Sequence, residues 1–210
     1  MARYVVMGSA AVVAFGASLA TGVGIAHGDN LVPTGNSAVT CTQGYPPPHG
    51  NCQTDNAKVY WHMAGGAQAL EPADRAALTN MLNAQYAPTD LTLVYDSTPV
   101  FSGAGETDWI YQEGPIKDPG VVGRTWCNDK VGTWVCDQHY VKLEGSGQYF
   151  QNPKVTCHET GHAVGLTHGN VASPVLALNA PSLGCLRAPL AAITSNALGS
   201  ANVTQINQVY

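Results

Sequence analysis

The chain has 210 residues, of which 11% are charged and 45% hydrophobic, with 23 glycines, 13 prolines and a formal charge of -5. Soluble domains carry about 25% charged residues, so this is a charge-poor, turn-rich chain. No run of basic residues can follow a phosphate backbone, which argues against a nucleic-acid partner, and disorder would need low hydrophobicity with high net charge. The length suits one domain with a substantial core.

In chain order, Arg3 precedes an uncharged stretch from Tyr4 to Ala26, with small-residue sites at Ser18-Leu19-Ala20 and Gly24-Ile25-Ala26. That is the pattern of a secretory signal peptide over residues 1–26, removed before the chain works. A retained N-terminal anchor is the rival reading, because an uncharged run of that length just spans a bilayer. Residues 27–56, with Pro33, Pro46, Pro47 and Pro48, lack apolar periodicity and predict an irregular N-terminal arm or short pro-segment. The remainder, 57–210, is expected to be the working domain.

Val59 to Met63 predicts a strand. Leu70 to Tyr86 carries Leu70, Ala77, Leu78, Met81 and Leu82 at helical spacing, with Pro72 in the first turn, where its missing N–H costs nothing. Leu91 to Tyr95 and Trp109 to Tyr111 predict strands. Val121 to Trp126 and Thr133 to Leu143 predict a hairpin turning at Asn128-Asp129-Lys130. A second helix is expected from Asn152-Pro153, a favoured cap followed by proline at the first helical position. Residues 170–199 have poor periodicity. A last short helix is expected from Ser200 to Tyr210, where Val203, Ile206 and Val209 recur at three-residue intervals.

All six cysteines, Cys41, Cys52, Cys127, Cys136, Cys157 and Cys185, follow the expected cleavage point. An even number in an exported chain predicts disulfides, although order alone leaves 15 connectivities open. The expected pairs are Cys41 with Cys52, Cys127 with Cys136 across the hairpin, and Cys157 with Cys185. A thiolate ligand at Cys157, or a metal-blocking latency thiol at Cys41 or Cys52, is the competing use.

The chemistry concentrates in residues 157–168. His158 and His162 stand four apart, so on a helix two imidazoles share a face and can converge on one ion. Glu159 is placed to handle a water on that ion rather than the ion itself. Were the helix continuous, His168 would lie about 9 Å along the axis from His162 and roughly 240° around it. No zinc with bonds of about 2.0–2.1 Å spans that. The helix is therefore expected to stop after His162, and Gly165 can adopt the left-handed conformation that ends helices. By chance the H-E-x-x-H pattern would arise in roughly one shuffled chain of this composition in 200, and the longer pattern in about two per 100,000, so the longer one carries the argument. Two bland readings compete: a buried helix with merely hydrogen-bonded histidines, and a zinc site kept for stability. Structural zinc usually has four protein ligands. Three imidazoles leave a position open beside a glutamate.

On these residues the chain resembles the metzincin clan of zinc-dependent metallopeptidases, whose signature is complete at His158, Glu159, His162, Gly165 and His168. The resemblance covers about residues 57–210. It implies an α+β fold: an upper part with a twisted, mostly parallel sheet, a backing helix and the active-site helix, and a smaller irregular lower part ending in a helix. Metzincins place a methionine in a turn beneath the zinc, and this chain has none after Met81. The matching turn is Gly184-Cys185-Leu186-Arg187 with Leu186 in its place, a near volume-conserving change typically costing under about 1.5 kcal/mol. A Cys157–Cys185 bond would tie the active-site helix to that turn. No tyrosine follows closely, so no tyrosine ligand is implied. Tyr140 to Leu143 resembles the edge strand along which metzincins hold an extended peptide, although it reads equally as a core strand. His62 and His139 have no companions at ligand spacing and read as ordinary histidines.

The resulting expectation is a secreted, monomeric zinc endopeptidase acting on protein or peptide substrates, with Zn2+ as cofactor held by His158, His162 and His168, and Glu159 as general base. After signal cleavage no stable membrane association is expected. A catalytically silent zinc-binding protein that acts by binding proteins or the cell envelope is the alternative, and a membrane-anchored form of the enzyme a third.

Overall fold

Val59, Trp61 and Met63 are buried and alternate with more exposed neighbours along β2 (Lys58–Met63), the period-two signature of a strand with one face on a core. The structure, a computed structural model, describes residues 28–38, 40–44, 51–145, 153–189 and 195–210. The signal peptide expected over 1–26 and the helix cap expected at Asn152 lie outside the described residues.

β2 pairs in parallel with β3 (Thr92–Tyr95) on one side and β4 (Trp109–Glu113) on the other. β4 pairs in parallel with β6 (Val135–Leu143), which also takes the two-residue β1 (Gln53–Thr54) in parallel. β5 (Gly123–Lys130) lies antiparallel to β6 and completes a six-stranded sheet. Helices accompany this mostly parallel sheet, so the fold class is α+β, in agreement with the sequence. β4 is buried at every position, as suits a strand in the middle of a parallel sheet covered on both faces.

Parallel neighbours need a crossover, and α1 (Pro72–Met81) supplies the one between β2 and β3. Pro72 occupies its first turn. The helical path runs on through a π-turn over Leu82–Tyr86, so the predicted helix begins two residues late and reaches its predicted end. Leu78, Leu82 and Tyr86, four apart, form one fully buried stripe. The Tyr86 hydroxyl donates to the Cys157 carbonyl at 2.7 Å and joins this helix to α2 (Pro153–Val164).

Two expectations need correction. Asn128, Asp129 and Lys130 do not turn the hairpin but remain in β5, with register shifts on both sides of Asp129. Bulges absorb the extra residues there, the Cys127–Cys136 disulfide pins the strands together, and the chain turns over 131–134, where the Val131 and Gly132 amides both donate to the Val135 carbonyl. Of the two readings of Tyr140 to Leu143, the edge falls and the core strand stands: β6 is paired there with β4 and β5, and the edge on that side of the sheet is β5.

Beyond α2 the chain is mostly irregular, with 3-10 turns at Gly169–Val171 and Pro181–Leu186, and closes on α3 (Ser200–Val209). The described part of the N-terminal arm packs against this region. Asn30 donates through Nδ2 to the Thr167 carbonyl and through its amide to Gln205 Oε1, both at 2.9 Å, and Leu31 and Val32 are buried. The disulfides are Cys41–Cys52, Cys127–Cys136 and Cys157–Cys185, the expected pairs. Neither a thiolate ligand nor a latency thiol is therefore present at these cysteines. Among the described residues no helix is long and apolar enough to cross a membrane.

Candidate active site

One face of α2 carries His158 and His162 one turn apart, with Glu159 beside the first. The helix ends at Val164. Gly165 then takes φ 105°, its amide donating to the His162 carbonyl and the Leu166 amide to the Gly161 carbonyl. That positive φ sharply disfavours a side chain, and a Cβ at this position would also sit 3.1 Å from the Gln53 Cα. The reversal brings His168, in extended conformation, back beside the helix.

The three Nε2 atoms converge: His158 lies 3.1 Å from His162 and 3.0 Å from His168. The second ring nitrogens explain the orientation. His158 Nδ1 donates to the Cys185 carbonyl and His162 Nδ1 to the Leu166 carbonyl, both at 2.8 Å. A carbonyl only accepts, so in these two rings the proton sits on Nδ1 and the Nε2 lone pair faces inward. Lone pairs held this close with no proton between them repel, unless a cation lies among them. Tetrahedral zinc with bonds of about 2.0–2.1 Å would space its nitrogens at roughly 3.3–3.4 Å, close to the distances here. The donor set therefore fits a zinc ion. Burial is the first cause of the depressed basicity of all three rings: it brings His158 down to about 4, His162 well below its ordinary value and His168 lower as well, so they are neutral and able to ligate.

Glu159 is buried against β5. Its Oε2 accepts from the Thr125 hydroxyl at 2.8 Å. The approach is so close that a Cβ on Gly123 would lie 2.5 Å from Glu159 Cγ, so the strand must carry glycine there. Burial raises the Glu159 carboxyl to about 7 against the opposing pull of Thr125 and Arg124. Leu186 is fully buried beneath α2 and packs on Gly161, where a Cβ would lie 2.9 Å from Leu186 Cδ2. The Cys157–Cys185 bond ties the same turn to the helix.

A cavity of about 280 Å³ opens over this group, walled on one side by Val121 to Thr125 and on the other by the three histidines, Glu159, Val155 and Ala188. Apart from a bridge between Gln43 and Cys127, the outer edge of β5 has no further strand among the described residues. Sequence reasoning missed Gly123, Thr125 and Asn51. Asn51, in the N-terminal arm, donates through Nδ2 to the Leu166 carbonyl at 2.6 Å and so shares the acceptor that orients His162. No local signal marks such a contact, made across 115 residues of sequence. His62 and His139 lie apart from the histidine cluster: His62 Nδ1 contacts the Asp96 carbonyl, and His139 is buried in β6 and held neutral, its pKa pushed by burial down to about 3.

Fold and site together define an α+β chain with a three-histidine centre at the mouth of a cleft, able to hold a metal ion. No family model matches the chain. It is 26% identical to the extracellular small neutral protease of Streptomyces sp. (strain C5), with 83% of this chain and 82% of that protein covered, and is distantly homologous to it. Among solved structures, the crystal structure of myroilysin is similar at 17% identity and a TM-score of 0.34, with 67% of this chain covered. The chain spans 56% of the length of that myroilysin chain.

Proposed function

We propose that the protein is a secreted zinc-dependent endopeptidase that cleaves protein or peptide substrates as a monomer. Residues 1–26 are its signal peptide, 27–56 an arm or short pro-segment, and 57–210 the catalytic domain. The observation that carries this reading is the convergence of three neutral imidazoles through Nε2, with a buried carboxylate beside them at the cleft wall. The distant homology to an extracellular protease and three disulfides support the peptidase and the export readings respectively.

In this reading His158, His162 and His168 hold Zn2+, which supplies Lewis-acid polarisation of the scissile carbonyl and a lowered water pKa. Glu159 takes the proton of the attacking water and delivers it to the leaving amine, a task suited to a carboxyl whose proton affinity burial has raised. Thr125 keeps that carboxyl turned toward the cleft. The free edge of β5 from Gly123 to Thr125 offers main-chain groups to an extended peptide. Leu186 fills the space beneath the ligand helix where metzincins have methionine.

The test is turnover of casein by the purified protein with and without a zinc chelator. Hydrolysis that stops on chelation and returns with Zn2+ supports the enzyme. A zinc-loaded, folded protein that leaves casein and unfolded peptides intact overturns it in favour of a silent zinc-binding protein.

A further inference from the structure

At the end of β5 away from the cleft, one carboxylate oxygen from each of Glu106, Asp129 and Asp137 lies within 4.8 Å of the others. Glu106 is 6% exposed, and its Oε2 is buried without a hydrogen-bond partner. None of the three carboxylates has an ion-pair partner among the described residues. The Glu106 carboxyl accepts from the Gly103 backbone, but a carboxylate oxygen buried without a partner is costly, and like charges gathered across two strands add to the cost. Burial, then the Asp129 charge, pushes the Glu106 carboxyl above its usual range, and burial with neighbouring aspartates does the same to Asp137.

The backbone is shaped to gather these charges. Register shifts flank Asp129, which pairs with Gln138, while Lys130 pairs with Cys136, so Asp137 has no partner residue in the ladder. Bulges re-aim side chains in this way. The Gln138 carboxamide donates to the carbonyls of Val100 and Thr107 and brings the loop that carries Glu106 against the hairpin. Oxygen-only donors with three negative charges suit a hard divalent cation. Oxygens bound to one Ca2+ at about 2.4 Å lie no more than about 4.8 Å apart, and Ca2+ tolerates irregular ligand geometry where Mg2+ demands an octahedron.

We propose that Glu106, Asp129 and Asp137 bind a calcium ion that fastens the β3–β4 loop to the β5–β6 hairpin. The site is independent of the peptidase reading. Its test titrates Ca2+ alone, at constant zinc, into the calcium-free full chain, following heat of binding and Tm in the parent, Glu106→Gln and Asp137→Asn. The parent is expected to take up one equivalent through this site and to gain about 5–10 °C in Tm at a hundredfold excess over Kd. Both variants are expected to lose that equivalent and that gain. Without Ca2+, Glu106→Gln is expected to melt no lower than the parent, because it removes repulsion while the carboxamide oxygen can still accept from the Gly103 backbone. A parent indifferent to Ca2+, a gain that persists in both variants, or an equal gain with Mg2+ at the same concentration would overturn the proposal.

Discussion

The chain up to Val164 and the chain beyond Gly165 are built on different principles. In the first, ladders of main-chain bonds between parallel strands fix the backbone, and side chains fill the space left over. In the second, scattered main-chain bonds take the place of ladders and single side chains add to them: Asn202 Nδ2 donates to the carbonyls of Leu183 and Leu198, Asn30 and Gln205 clasp each other's segments, and one disulfide reaches up to α2. The histidine cluster straddles the seam. Two of its rings ride on the regular part and the third on the irregular part, so its geometry depends on how firmly the two are joined.

The largest effect is expected on the regular side. Glu159→Gln keeps the shape of the helix and the three imidazoles, so zinc content should be unchanged while the hydrolysis rate falls by roughly 10²- to 10⁴-fold. Parent-like cleavage of casein by this variant would remove Glu159 from the mechanism.

At the seam, Gly165→Val forces a β-branched side chain into φ 105° and against Gln53. Backbone strain of this kind costs about 1–3 kcal/mol before the clash is counted. Misfolding or release of His168 should follow, with zinc stoichiometry and rate falling together. Full zinc occupancy with a normal rate would mean that the two parts are not joined through this residue.

A purely structural contrast comes from His139, buried within the sheet and neutral down to about pH 3. The unfolded chain binds a proton there near pH 6.5, so stability is intact above that value and is lost as pH falls toward 3. At pH 5 the loss attributable to this ring is about 2 kcal/mol. His139→Leu should flatten the acid limb of stability between pH 6.5 and 4 in urea titrations, and an unchanged slope would show that the ring is protonated in the fold.

The smallest effect is expected beneath the helix. Leu186→Met preserves volume in a fully buried position and should cost under about 1.5 kcal/mol, with zinc content retained. A large loss of activity would indicate that the lower part holds the ligands far more tightly than packing alone implies.

The same division governs what could be read from sequence. Val59 to Met63 and Leu78, Leu82 and Tyr86 announce themselves because burial imposes a period on neighbours in the chain. His158, Glu159 and His162 are legible for the same reason, one helical turn being a local fact. Asn128-Asp129-Lys130 has the composition of a turn, yet bulges and the Cys127–Cys136 bond keep it in the strand. Asn51, Thr125 and Gly123 were invisible. Each meets the site from a distant stretch, and what selects it is a carbonyl or a carboxylate oxygen supplied by another element.

The Cys157–Cys185 bond has one more consequence. It holds in place the carbonyl that orients His158, the first imidazole of the cluster. In a reducing compartment that bond does not persist, and the carbonyl would be held by noncovalent contacts, the packing of Leu186 under Gly161 and the bond from the Cys185 amide to the Ala197 carbonyl. A chain with Cys157 and Cys185 reduced is therefore expected to bind metal less tightly than the oxidised one, since the partner of His158 is less firmly fixed. In the proposed exported form, that covalent link would couple assembly of the histidine cluster to oxidation of the chain.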